Sequence, residues 1–168
     1  MKRILFLVLV IGSLASCLKK KELPDEPQIS LSAFDITSSG ATLKLHFTDG
    51  NGNFGLDDAD TTGIFADCIR AFNLYAEYYE LQDGEWEHII IDPCDEPDTL
   101  EQDLPFYNRV PWVKPTGQDQ TQDGEIRVDM DNWFLPGPYD TIRFEIHIVD
   151  REMNESNTII AGPFVKSH

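Results

Sequence analysis

Basic residues are scarce in this chain. Its 168 residues include 13 Lys and Arg against 30 Asp and Glu, which gives a formal charge of −17. A protein with so few cations has little with which to displace the counterions condensed on a phosphate backbone, so the composition argues against nucleic-acid binding. The imbalance does not indicate disorder, because 41% of the residues are hydrophobic and 11% are aromatic. The length suits one domain.

The sequence also lacks the motifs that mark common catalytic sites. Its four His residues are scattered along the chain. No Gly-x-Ser-x-Gly, His-Glu-x-x-His or phosphate-binding loop occurs. Carboxylate pairs are plentiful, but in so acidic a chain their abundance does not indicate a glycosidase. We therefore expect a protein that is not an enzyme.

No hydrophobic run is long enough to span a bilayer as a permanent helix. The apolar run at 4–11 follows Lys2 and Arg3 and is typical of a secretion signal. The sequence Leu-Ala-Ser-Cys at 14–17 resembles the lipobox of bacterial lipoproteins. The resemblance implies cleavage of a signal peptide at 1–16 and acylation of Cys17, with palmitate among the acyl chains. An ordinary signal peptide followed by an incidental Cys is the alternative.

Processing at Cys17 would leave a more acidic protein on a membrane. Removing residues 1–16 removes two basic residues and no acids, so 11 basic and 30 acidic residues remain and the charge becomes −19. Residues 17–28 are polar and interrupted by proline, which predicts a lipidated, flexible tether before a domain at 29–168. Because no Asp follows Cys17 directly, the chain resembles lipoproteins sorted to the outer membrane, on either its periplasmic or its surface face.

The chain has three cysteines, and lipidation of one leaves a pair. In an exported domain, Cys68 and Cys94 are expected to form a disulfide. A metal-binding or catalytic role is disfavoured because neither cysteine has a His close in sequence.

Alternating apolar and polar residues predict a domain built of β-strands. The alternation is perfect at 41–47, 126–130 and 142–148. Asp83-Gly84 predicts a hairpin turn, and a slip in the pattern predicts a bulge near Ala33-Phe34. Strands are predicted at 29–36, 41–48, 70–82, 85–92, 106–113, 123–131, 140–149 and 157–165. Seven or eight strands at this spacing, without a long helix, predict an all-β, immunoglobulin- or fibronectin III-like antiparallel β-sandwich.

The predicted connection between the second and third strands is rich in side-chain oxygens. Residues 49–60 place them at positions 1, 3, 5, 9 and 12, as in an EF-hand calcium loop. The residues concerned are Asp49, Asn51, Asn53, Asp57 and Asp60. Phe54 stands where that motif requires Gly, so we expect a calcium loop of another kind, with a polar turn as the alternative. The sandwich topology brings further acids of 92–98 and 150–152 to the same end, where they repel unless a cation screens them.

Several segments together resemble a family of uncharacterised lipoproteins of Bacteroidetes. They are Phe-Thr-Asp-Gly-Asn-Gly-Asn-Phe-Gly at 47–55, Asp-Glu-Pro-Asp-Thr-Leu at 95–100, Pro-Thr-Gly-Gln at 115–118, Gly-Glu-Ile at 124–126, and Asp150-Arg151 with Asn154 and Ser156-Asn157. The resemblance covers nearly the whole mature domain. It implies an outer-membrane lipoprotein with an immunoglobulin-like fold, and it implies no activity.

Membership of that phylum would make two threonines candidates for O-glycosylation. Three segments look like the sequon of the phylum, in which Asp precedes Ser or Thr and an apolar residue or Thr follows. They are Asp60-Thr61-Thr62, Asp98-Thr99-Leu100 and Asp140-Thr141-Ile142. Thr61 and Thr99 lie in predicted loops and are the expected sites, whereas Thr141 begins a strand. Chance occurrence is the alternative.

Aromatic residues in irregular segments are the candidate binding residues. Tyr107, Trp112, Trp133 and Tyr139 lie in or beside proline-rich stretches, where rings can anchor a partner protein or stack on sugars. Closing the ends of the sandwich is the alternative role for each ring. Two functions follow: a scaffold or interaction module of a cell-envelope protein assembly, or a calcium-dependent glycan-binding module for adhesion or capture.

Overall fold

The computed structural model describes residues 23–91, 94, 106–116 and 118–166. In this part of the chain, eight strands form two antiparallel sheets packed as a β-sandwich, and helix is limited to two short 3₁₀ segments, Gly63–Ala66 and Ile69–Ala71. The all-β class and the sandwich architecture are therefore confirmed. The predicted signal peptide, the lipidated Cys17 and the first part of the tether lie outside the described residues.

The strands follow the predicted order along the chain. They are β1 (Gln28–Thr37), β2 (Gly40–Asp49), β3 (Leu74–Gln82), β4 (Glu85–Ile89), β5 (Tyr107–Asn108), β6 (Gln122–Met130), β7 (Thr141–Ile148) and β8 (Ile159–Val165).

The first sheet has the order β1-β2-β6. The apolar phase of β2 faces the core, and Leu43, one of its buried residues, pairs with the buried Val128 of β6. The pairing of β1 with β2 shifts register between Leu31 and Ala33. This shift is the bulge that the slip in the alternation predicts.

The second sheet has the order β4-β3-β7-β8, and β5 pairs with β3 beyond the end of β4. Asp83 and Gly84 join β3 to β4 with φ values of 52° and 92°, the left-handed backbone that an Asp-Gly hairpin turn adopts. Tyr78 pairs with Ile89, so the register that this turn dictates is confirmed. The strand predicted at 85–92 ends at Ile89.

The third strand is shorter than predicted. The predicted strand spans 70–82, but β3 begins at Leu74 because Ile69–Ala71 forms a 3₁₀ turn. The Asp67 carboxylate starts this turn by accepting a hydrogen bond of 3.1 Å from the Ile69 N–H. A local side-chain hydrogen bond thus favours a turn where the first residues of the strand were predicted.

The strand predicted at 106–113 is also reduced, to the two residues of β5. Pro111 cannot donate to a ladder, and the residues around it bond to Leu56 instead. The Leu56 N–H donates to Val110 O at 3.0 Å, and the Trp112 N–H donates to Leu56 O at 3.2 Å. The chain after β5 therefore follows the loop between β2 and β3.

The core lies between the two sheets and is rich in aromatic rings. Tyr78 stacks on Phe106 with ring centroids 5.3 Å apart, and Phe144 contacts both rings edge-on at 5.6 and 5.5 Å. Trp133 closes one end of this core, where it meets Phe34 edge-on at 5.9 Å. Within the described residues, no helix is long and apolar enough to cross a membrane.

Candidate functional site

The N-terminal segment meets the loop of residues 49–60 at one end of the sandwich. We call this loop the acidic loop and this end the acidic end. Gln28, at the start of β1, pairs with Thr48 near the end of β2, so the tether reaches the domain where the loop after β2 leaves it. The Gly50 N–H donates to Pro24 O at 2.8 Å. A Cβ atom at Gly50 would lie 2.4 Å from the carbonyl oxygens of Leu23 and Pro24, which explains the glycine at this close approach. The acidic end is therefore also the end that the N-terminal segment reaches.

Asp49 is buried at this end, and only one of its two carboxylate oxygens accepts hydrogen bonds. Its side chain is 0% exposed. Oδ1 accepts hydrogen bonds from the backbone N–H groups of Asn51 at 3.1 Å and Gly52 at 2.7 Å, whereas Oδ2 is buried without a partner. Burial raises the pKa of Asp49 above its ordinary value of 3.8; the Gly52 N–H opposes the rise and the nearby Asp150 adds to it.

Asn53, four residues further on, has no partner for its side-chain amide. Both Oδ1 and Nδ2 are buried without a hydrogen bond. The described residues contain four such side-chain atoms in all, and three of them belong to Asp49 and Asn53. The fourth is Nε of Arg143, on the other sheet. Unsatisfied polar atoms in the described part of the chain thus concentrate in this loop.

Asp150 is the second buried carboxylate of this end, at 2% exposure. Its Oδ1 accepts hydrogen bonds of 2.8 Å from the N–H groups of Glu152 and Asn154, and its Oδ2 accepts one of 2.8 Å from the Asn154 amide. These bonds close the turn after β7 around the carboxylate. These hydrogen bonds give both carboxylate oxygens a partner, but none of the donors is positively charged.

The structure places the five predicted calcium ligands in different surroundings. Arg151 binds Asp60 through two contacts of 2.6 and 2.8 Å and lies 3.9 Å from Asp57. The Asn51 Oδ1 accepts the Asn53 N–H at 3.2 Å. Of these five residues, only Asp49 and Asn53 have side-chain atoms that are buried without a partner. The described residues contain no group of three or more His, Cys, Asp and Glu side chains placed to hold a metal.

Phe54 explains why the loop does not wind like an EF-hand. Its ring is buried and packs on Phe47 at 5.0 Å. The side chain of Gln122 fixes its backbone, accepting the Phe54 N–H at 3.1 Å and donating to Phe54 O at 3.1 Å. The middle of the loop, between Asn53 and Asp57 in the sequence, is thereby drawn into the sandwich.

Cys68 and Cys94 form the predicted disulfide. Their Cα atoms lie 5.7 Å apart, within the range that a disulfide requires. The bond joins the segment between β2 and β3 to the residues after β4. The loop region therefore folds back over the end of β4.

The structure separates the four predicted binding aromatics. Trp133 is 3% exposed and belongs to the core, so its prediction as a binding residue is wrong: its ring fills the sandwich end. Trp112 is half-buried; its indole donates to Gly52 O at 3.0 Å, and the Arg151 guanidinium lies 4.4 Å from the ring centroid. Trp112 therefore supports the acidic loop. Tyr107 and Tyr139 are both half-buried.

An aromatic surface on the outside of the second sheet was missed by the sequence reasoning. The Arg143 guanidinium lies 4.6 Å from the ring centroid of Trp86 and 5.1 Å from that of Tyr79. His88 stacks on Tyr79 at 4.7 Å, and Tyr107 lies at the edge of the same sheet. We call these five residues the outer aromatic face. Its signal in the sequence is aromatic side chains on the polar phase of strands β3 and β4.

A groove of about 390 Å³ runs beside β6. It is lined by β6 from Gln122 to Asp129 and by the chain after β5 from Asn108 to Val113, with Phe47 and Phe54 at its apolar base. Within the described residues, β6 pairs with β2 alone, so the groove lies along an edge of the first sheet.

Comparisons with protein-family models, with curated proteins and with solved structures find no match for this chain. Membership of a Bacteroidetes lipoprotein family therefore stays a prediction, as do lipidation and outer-membrane sorting. Thr61, one of the predicted glycosylation sites, is exposed, whereas Thr99 lies outside the described residues.

Proposed function

We propose that this protein is a non-catalytic interaction module of a cell-envelope protein assembly, held at the outer membrane by acyl chains on Cys17. The observation that carries the proposal is the outer aromatic face. Tyr, Trp and Arg are the residues most enriched at the energetic centres of protein interfaces. Here Trp86, Tyr79 and Arg143 lie together on one sheet surface rather than inside the core.

The strand order supports an immunoglobulin- or fibronectin III-like type of sandwich. In the lettering of such domains, the sheets read A-B-E and C′-C-F-G. Domains of this architecture are common at cell surfaces, where they serve as recognition modules. The charge of the processed chain, −19 by composition, favours a partner whose contact surface is basic.

Capture of partners from detergent extracts of native membranes tests this proposal. The full chain should retain one or a few envelope proteins, and Trp86→Ala should lose them. Tyr139→Ala is the matched control, since it removes a half-buried ring from the connection between β6 and β7. If Trp86→Ala keeps its partners and Tyr139→Ala loses them, the binding surface lies at that connection and the outer aromatic face is not the interface.

Anchoring needs a separate measurement. The mass of the native protein should equal that of residues 17–168 plus the acyl chains, and Cys17→Ser should release the protein from the membrane fraction. The same spectrum tests O-glycosylation at Thr61 and Thr99, because sugars would add mass beyond the lipid.

A calcium-dependent glycan-binding module is the second candidate. The unpartnered atoms of Asp49 and Asn53 favour it, since they are suited to a cation. Binding of the purified chain to a glycan array in Ca²⁺, and its loss in chelator, would support this function over a protein scaffold.

A further inference from the structure

The acidic end contains buried polar atoms that the folded chain leaves unsatisfied. Asp49 is fully buried with Oδ2 unpartnered, and both amide atoms of Asn53 are buried and unpartnered. Roughly 90% or more of buried polar groups in proteins have a hydrogen-bond partner, so three such atoms in two nearby residues require an explanation. An unpaired buried carboxylate is the most unfavourable of the three.

The cationic side chains of this end do not reach these atoms. Arg151 is held by Asp60 and by the ring of Trp112, and the described residues show no ion pair to Asp49 or Asp150. Asp150 instead adds a second buried negative charge beside Asp49. Asp49, Asn53 and Asp150 thus bring together two carboxylates and an amide, and no ion pair within the described residues reaches them.

We propose that Asp49, Asn53 and Asp150 form a site for one Ca²⁺ ion. Asp49 Oδ2 and Asn53 Oδ1 are the direct protein ligands, and Asp150 supplies the second negative charge. The donors are hard oxygens, which Ca²⁺ takes in flexible arrangements. Mg²⁺ suits the site less well, because it demands near-ideal octahedral geometry, whereas Ca²⁺ accepts an irregular set of two protein oxygens completed by water. The site differs from the EF-hand-like set of ligands, because Arg151 forms ion pairs with Asp57 and Asp60.

The ion would also stiffen the attachment of the tether. The Asp49 carboxylate holds the N–H groups of Asn51 and Gly52, and Gly50 between them donates to Pro24 O. Seven residues such as 17–23 can span at most about 25 Å. If Cys17 is acylated, the site lies close to the membrane and Ca²⁺ fixes the segment that connects the domain to its anchor. This inference does not depend on partner binding at the outer aromatic face.

Terbium luminescence with the full chain in detergent tests the site directly. Trp112 can sensitise Tb³⁺ there, because its indole is bonded to Gly52 O within the loop. We expect emission that Ca²⁺ displaces and Mg²⁺ at the same concentration does not. Trp112→Phe should remove the emission. In the wild type, Ca²⁺ should raise the melting temperature by a few degrees, which reports binding independently of the luminescence.

Two matched substitutions separate this site from general acidity. Asp49→Asn should weaken Ca²⁺ binding at least tenfold while leaving the chelated protein as stable as the wild type or more so, because it removes a buried unpaired charge and keeps Oδ1. Asp57→Asn makes the same change of charge at an exposed position and should bind Ca²⁺ like the wild type.

A third variant adds negative charge to the site instead of removing it. Asn53→Asp should tighten Ca²⁺ binding several-fold and lower the melting temperature in chelator, since it adds a second buried carboxylate to the pair of ligands. If Ca²⁺ changes neither the emission nor the melting temperature of the wild type, or if Asp57→Asn abolishes binding as Asp49→Asn does, the proposal is overturned. In that case buried water satisfies these atoms. Partner capture in chelator tests the proposed function independently of this result.

Discussion

At the residue scale, a buried ion pair fixes the end of the last strand. Lys166 Nζ lies 2.8 Å from Glu80 Oε1, with side-chain exposures of 0% and 9%. Glu80→Gln should destabilise the domain by about 3 kcal/mol, because it leaves the ammonium buried without a counter-charge. The double variant, Glu80→Gln with Lys166→Met, should recover much of that loss. Urea denaturation in a double-mutant cycle measures both, with the exposed Lys44–Asp35 pair as the control, expected below about 1 kcal/mol.

His147 makes the stability depend on pH. Its ring stacks on Tyr75 at 4.9 Å, and burial lowers its pKa below the ordinary 6.5, although Glu155 and Glu77 act in the opposite direction. As the pH falls below about 6.5, the unfolded chain binds a proton that the folded chain resists, so this His removes stability under acid conditions. His147→Gln should flatten the fall in unfolding free energy between about pH 6.5 and 5.

The control for that measurement is His46→Gln, because His46 is exposed. Denaturation midpoints at a series of pH values should separate the two variants. Equal slopes for His147→Gln and the wild type would show that the His147 ring is not the source of the pH dependence.

At the element scale, the sequence predicts best where structure is local. The β3–β4 hairpin follows from Asp83-Gly84 alone, and its register is that of the observed pair Tyr78–Ile89. The bulge of β1 follows from a slip in alternation. A distant contact is harder to predict: Gln122 binds Phe54, 68 residues away, and these bonds draw the middle of the twelve-residue loop into the sandwich.

The candidate site was therefore only partly predictable. Asp49 and Asn53 are visible from their side-chain oxygens, but their burial depends on the packing of Phe54. Trp133 looks like a surface ring in an irregular segment, yet it fills the core because Phe34 and Phe164 leave space for it. The outer aromatic face is harder to predict, because its rings lie on regular strands rather than in irregular segments.

The disulfide is the element-scale restraint on the loop region. Cys68 and Cys94 are separated by 26 positions, and closing such a loop in the unfolded chain corresponds to about 3 kcal/mol in the chain-entropy model. Replacing both by Ser should lower the unfolding free energy by about that amount. Chemical denaturation measures the loss, and reduction of the wild type should reproduce it; unchanged midpoints in both experiments would show that the bond does not stabilise the fold.

At the scale of the whole molecule, the negative charge acts in two ways that experiment can separate. Charges of one sign repel across the folded surface, and salt screens this repulsion, since the Debye length falls from about 30 Å at 0.01 M to about 10 Å at 0.1 M. With 30 acidic against 13 basic residues, we expect the melting temperature to rise with NaCl over this range in chelator. A falling melting temperature would mean that attractive ion pairs outweigh the repulsion.

Calcium should add a second rise that screening does not explain. At a fixed NaCl concentration of about 0.15 M, one millimolar divalent salt barely changes the ionic strength, so a general effect of charge predicts equal, small shifts for Ca²⁺ and Mg²⁺. A site at Asp49 and Asn53 predicts a larger shift for Ca²⁺, because a ligand bound only to the folded state raises its stability by mass action. The control is Asp49→Asn, which should keep the response to NaCl and lose the difference between the two cations. Equal shifts for both cations in the wild type would assign the acidity of this end to the surface as a whole.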